Sequence, residues 1–244
     1  GILDHCVAAV QPLSLPVCIS AAAAGAGLDI DDAFSTYVYE GTSGSSLSIN
    51  NGIDLSGEGG LVWTKERSSG GGGHILFSTD ASGNHSGLLV SSSTAAAGTG
   101  YQPTYFTFNN NGYTTTNTVG DSKVNGNDYV SWAFKNTANF FDIVTYTGDG
   151  TDARQVSHNL GSVPGMIIVK RTNGDTQWPV FHTSLGQGHY LHLDANTSKS
   201  NYDSGNSNSR YWNNTAPTST EFTVSSNRWV NSDEGTYVAY LIAH

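Results

Sequence analysis

The sequence predicts an all-β protein: two tandem β-sandwich repeats of the jelly-roll kind, behind an irregular N-terminal segment. Three observations predict it. Apolar residues alternate with period two, as in Tyr129-Val130-Ser131-Trp132-Ala133-Phe134, which sets Val130, Trp132 and Phe134 on one face and Ser131 and Ala133 on the other. Gly-, Asn- and Ser-rich punctuators such as 69–73, 109–112, 148–150 and Asn173-Gly174 separate the apolar runs. The third observation is that the chain repeats itself.

Gly60-Leu61-Val62-Trp63-Thr64-Lys65 has a counterpart in Gly165-Met166-Ile167-Ile168-Val169-Lys170, and His74–Thr79 has one in Trp178–Thr183. Upstream, Phe34–Thr42 matches Phe141–Asp149. Downstream, Tyr129-Val130-Ser131-Trp132 matches Tyr237-Val238-Ala239-Tyr240. Four landmarks in one order, at an offset of roughly 105 residues, indicate a tandem duplication. The implied layout is an irregular segment over 1–33, one sandwich over 34–138 and a second over 139–244. Each repeat has room for about six strands, the arithmetic of a sandwich. Met166–Val169 is apolar at every position and reads as a strand buried on both faces. Aromatic residues such as Trp63, Trp132, Phe77, Phe181 and Tyr240 read as core. Only Ala21–Ala24 hints at helix, and Gly25 and Gly27 close it.

Composition narrows the function classes. Charged residues make up 12% of the chain, about half the usual share, and twenty Asp and Glu face ten Lys and Arg for a net charge of −10. With no basic cluster to reverse that sign, nucleic acid and anionic membrane surfaces are not expected partners. The apolar stretches around Cys6 and Cys18 are short and broken by Pro12 and Pro16, so neither is expected to span a bilayer. The two cysteines read equally as a disulfide or as free thiols. The opening on Gly reads as a fragment or a processed product.

The segments Phe34–Tyr37, Asn51–Leu55, Gly59–Lys65, Tyr237–Leu241 and above all His158-Asn159-Leu160-Gly161-Ser162-Val163-Pro164-Gly165-Met166-Ile167-Ile168-Val169-Lys170 carry a resemblance. They resemble a tandem repeat of virion proteins in marine tailed bacteriophages, of the tail-fibre-like, concanavalin-A-like kind. The resemblance covers roughly residues 34–244. It implies a virion component with a lectin-like sandwich, other virion proteins as partners, a homo-oligomer (commonly a trimer), and no catalytic residues.

The residues themselves offer little chemistry. Glycosidases of this architecture set paired carboxylates on one strand. Glu40, Glu58, Glu66, Glu221 and Glu234 form no such pair. His189 and His192 fall on opposite faces of a strand, which disfavours a shared metal with His182. Cofactors are therefore expected to be none, with calcium left open at the oxygen-rich Asp29-Ile30-Asp31-Asp32 and Asp149-Gly150-Thr151-Asp152. No Gly-x-Ser-x-Gly elbow and no phosphate loop accompanies the Gly-rich turns.

The candidate binding surface is the Asn/Ser-rich stretch Asp194–Glu221. Tyr202, Tyr211 and Trp212 could stack on a sugar there while Arg210 bonds its hydroxyls. The competing reading packs Tyr211 and Trp212 inward. The expected function is a non-catalytic virion structural protein of a tail fibre, spike or similar appendage that contacts host surface glycan. The alternatives are a head-decoration protein without ligand, or a depolymerase of host polysaccharide.

Overall fold

A computed structural model describes residues 28–68, 72–79, 85–97, 106–116, 125–196, 198, 200–201 and 211–244. The chain is almost wholly antiparallel β. The first half contributes β1 (Phe34–Glu40), β2 (Leu47–Asn50), β3 (Gly60–Glu66), β4 (His74–Thr79), β5 (His85–Val90), β6 (Phe106–Asn109), β7 (Gly112–Thr115) and β8 (Asp128–Lys135). The second contributes β9 (Phe141–Thr147), β10 (Arg154–Ser157), β11 (Pro164–Arg171), β12 (Pro179–His182), β13 (His189–His192), β14 (Ser200–Asn201), β15 (Glu221–Val224) and β16 (Thr236–Ala243). Two short helical turns are also present, a 3-10 turn at Ile30–Asp32 and α1 at Arg228–Asn231. Among the described residues each half therefore holds eight strands where the sequence suggested about six. The additions include strands of four residues or fewer, such as β6, β7, β10 and β14, too short for a period to register.

Strand order is the same in both halves. The large sheet of the first runs β1-β8-β3-β4-β5, and that of the second runs β9-β16-β11-β12-β13, extended by β14. A small sheet accompanies each, β2-β7-β6 and β10-β15. The residues matched in sequence occupy matching rungs. Val62 faces Phe77 and Ala133, while Ile167 faces Phe181 and Leu241. Phe34 faces Phe134, and Phe141 faces Ile242.

Three apolar layers separate the four sheets. In the first half Ile49, Ile53, Leu55, Val62, Ile75, Phe77, Leu88, Phe106, Tyr113 and Ala133 fill the space between small and large sheet. In the second, Val156, Ile167, Val169, Phe181, Phe222, Val224, Tyr237, Ala239 and Leu241 do the same. The third layer joins the halves: Leu61, Leu76 and Leu89 meet Phe141, Ile143, Ile168, Trp178, Val180, Val238 and Tyr240. The two large sheets thus pack face to face, and the alternation follows from the pleat. Val62 points into its own sandwich and Leu61 into the seam; Ile167 and Ile168 divide likewise.

Polar contacts stitch the same seam. The Ser78 and Tyr240 hydroxyls lie 3.0 Å apart. Trp178 is fully buried, and its Nε1 donates to the Ser93 carbonyl at 2.9 Å. The amides of Ala97 and Thr176 reach Thr172 O and Thr94 O at 2.8 and 3.0 Å. Lys65 and Lys170 share one rung of the repeat. Lys65 donates to Gly72 O at 2.6 Å, within its own hairpin. Lys170 donates to Thr176 O at 2.7 Å and, across the seam, to Thr94 O at 2.8 Å, with its ammonium 5.8 Å from the Trp178 ring centre. Lys170 is fully enclosed, because the 93–97 segment of the first half covers it.

Candidate functional site

The residues expected to bind sugar separate into two groups. Tyr202 and Arg210 lie outside the described residues, as do Cys6, Cys18 and Ala21–Ala24. Tyr211 and Trp212 are core residues, each only 3% exposed. The Trp212 ring meets Phe181 edge-on at 5.8 Å. Tyr211 packs against Tyr190 at 4.4 Å and Trp229 at 5.7 Å, and its hydroxyl lies 3.2 Å from His192 Nε2. Burial, with Tyr190 and Asp194 nearby, holds the Tyr211 phenol well above its ordinary range. This corrects the expectation of a stacking platform on these two rings: the inward-packing reading describes them.

A different aromatic residue, Trp63, is only partly buried. At the seam, a hollow of about 410 Å³ is lined by Trp63, His74, Ser91 and Ser92 from the first half and by Leu193, Asp194, Ala195 and Asn196 from the second. Trp63 is placed by β3, on the face directed at the second half, and only part of its ring is covered. Trp132 meets it edge-on at 6.2 Å and His74 at 5.9 Å. Trp63 Nε1 donates to His74 Nδ1 at 3.2 Å, so in the neutral imidazole the proton sits on Nε2. Burial first, and then the Lys65 ammonium, lower the His74 pKa and favour that neutral form.

On the opposite wall, Asp194 Oδ1 accepts the Trp178 amide at 3.1 Å, which anchors the Leu193–Asp194 turn. Asn196 and Ser92 are exposed. The hollow thus combines one partly buried indole, an anchored carboxylate, an amide, hydroxyls and a neutral imidazole, on walls held by the shared core. Such a set suits a polyol: aromatic surface for C–H faces and mixed donors and acceptors for hydroxyls.

Sequence reasoning missed this hollow because Trp63 reads as core. The signal that could have found it lies in the repeat, where position 63 is Trp and the matched position is Ile168, a buried seam residue.

A second hollow, of about 380 Å³, is lined by Tyr211, Ser226, Asn227, Arg228 and Trp229. Asn227 is committed to capping α1, accepting the Trp229 amide at 2.8 Å. The acid clusters left open for calcium serve local turns. Asp29 Oδ1 accepts the Asp31 amide at 3.1 Å. Asp149 Oδ1 accepts from the Thr151 amide at 2.9 Å, the Thr151 hydroxyl at 2.8 Å and Asn231 Nδ2 at 3.0 Å. Those donors hold the Asp149 pKa down to about 2. Among the described residues no group of three His, Cys, Asp or Glu is placed to hold a metal ion. No helix among them is long and apolar enough to cross a membrane.

No curated protein and no solved structure matches the chain. One family profile matches residues 29–244, nearly the whole of both halves. By that match the chain belongs to the DUF7483 family, described as a domain of unknown function.

Proposed function

We propose that this chain is a non-catalytic structural module of a tailed-phage particle, carried on a fibre, spike or similar appendage, whose seam hollow receives a neutral glycan of the host surface. The virion part rests on the repeat resemblance between residues 34 and 244. The architecture suits it, since sixteen strands in four layers around a shared core make a rigid spacer. Its partners are then other virion proteins and further copies of itself.

The glycan part rests on one observation: the partly buried indole of Trp63 edges a hollow whose other wall is Asp194 and Asn196. A net charge of −10 favours neutral or amino sugars over acidic polysaccharide. Asp194 is the one carboxylate among the described lining residues, whereas glycoside hydrolysis ordinarily uses two, and this supports binding over cleavage.

Gold-tagged antibody against the chain, applied to purified particles, tests the placement. Gold on tail fibres or tail tip is the expected result. Gold confined to the head moves the chain to a decoration role and removes the reason for a host glycan.

A further inference from the structure

We propose that β1 is a self-pairing edge through which two copies of this chain join their large sheets about a two-fold axis. Among the described residues β1 is hydrogen-bonded to β8 on one side and to no strand on the other. The bonds that bracket it, Lys135 N to Ala33 O at 2.8 Å and Gly41 N to Asn127 O at 2.8 Å, show that its odd-numbered residues face β8. The N–H and C=O groups of Phe34, Thr36, Val38 and Glu40 therefore point outward. Val38 is 60% exposed and Tyr37 38%, and both are among the few large apolar residues left open.

The repeat supplies an internal control. β9 is the equivalent edge of the second half, and by the same parity Phe141, Ile143, Thr145 and Thr147 look outward there. Two of those four are closed. Phe141 exchanges both of its backbone bonds with Thr137, at 2.9 and 3.1 Å. The Thr147 carbonyl accepts from the Arg154 guanidinium. Among the described residues β1 carries no such cover, and it holds no Lys, Pro or bulge, the usual means by which an edge is kept from pairing.

The occupant follows from the register. An antiparallel copy of β1 centred on Tyr37 sets Thr36 against Val38 and Phe34 against Glu40 of the other copy. All four outward residues then fall on hydrogen-bonded rungs. Tyr37 meets its own image on a rung without hydrogen bonds, where side chains approach most closely. The two Glu40 carboxylates lie at opposite ends, roughly 20 Å apart at about 3.4 Å per residue. No like charges are opposed, and the result is one continuous ten-stranded sheet. This is a two-fold assembly, distinct from the trimer that the phage resemblance implies.

Sedimentation equilibrium of the full chain over a range of concentrations tests it. Twice the chain mass is expected for the native sequence. Val38→Pro removes an outward N–H that no strand among the described residues uses, and Val38→Lys adds a charge at an exposed site; each is expected to weaken association roughly tenfold or more. As a second readout, Tyr37→Cys in a background with Cys6 and Cys18 changed to Ser places two thiols on a rung with Cα atoms about 4.5 Å apart, within disulfide reach. Oxidation is expected to give a cross-linked dimer for Tyr37→Cys and none for Ser35→Cys. A chain that stays monomeric, a three-fold mass, or a dimer untouched by both Val38 changes overturns the proposal.

Discussion

Replacing Trp178 by Ala is expected to lower stability by about 3–5 kcal/mol, the range for deleting a fully buried indole. It is also expected to leave unfolding a single transition. Trp178 belongs to the second half by sequence, yet its ring lies in the layer shared with Leu61, Leu76 and Leu89, and its Nε1 donates to Ser93 of the first half. The cavity left by Ala would open between the two large sheets, and the Ser93 carbonyl would lose its donor. Both sandwiches should therefore weaken together. Differential scanning calorimetry checks this: one peak moving down as a unit is predicted. A peak that splits, with the first half melting at its native temperature, would mean that the halves are energetically independent.

The second large effect is a pH dependence centred on Lys170. Burial depresses its pKa to about 8, against the upward pull of Asp194 and Asp175. In the unfolded chain an ordinary lysine titrates near 10.4. Between those values the unfolded state holds more protons at this site than the folded one, so the Lys170 contribution to stability rises with pH across that window. The charged form is the disfavoured one, because two carbonyls replace the water around an enclosed ammonium. The gain from pH 7.5 to 9 is expected to be roughly 1 kcal/mol, read as an upward shift of the urea midpoint. Above about pH 9.5 the trend reverses, because Tyr39, Tyr113, Tyr146 and Tyr211 are held neutral by burial while unfolded tyrosines ionise. Lys170→Met should abolish the rise below about pH 9 and keep the fall above it. An unchanged rise in that variant would assign the effect elsewhere.

Much of the fold could be read from the residues, and the limits of that reading are physical. Alternation in Tyr129–Phe134 gives the faces of β8, and the matched rungs Val62/Ile167 and Phe77/Phe181 keep their register in both halves. What alternation does not reveal is what each face meets. Ile75-Leu76-Phe77 and Leu88-Leu89 are apolar on both sides because one side faces the other half. A duplicated pattern looks the same whether its copies stand apart or pack together. Tyr211 and Trp212 are buried rather than exposed for a related reason. Tyr211-Trp212 sits among Asn and Ser residues that read as exposed loop, yet the aromatic pair fills the second sandwich. Trp63 sits in an apolar strand that reads as wholly buried, yet its edge lies where the two halves leave a gap.

The most direct measurement is binding of the purified chain to an immobilised panel of neutral and amino-sugar oligosaccharides, followed by titration of any bound member. The native chain is expected to bind at least one of them. Trp63→Ala is expected to weaken that binding roughly tenfold or more, and Asn196→Ala to weaken it by a smaller factor. Trp229→Ala, in the other hollow, should leave it unchanged. Circular dichroism of each variant establishes that the sheets are intact. If the native chain binds no member of the panel, or if folded Trp63→Ala binds as the native chain does, the seam hollow is not a glycan site.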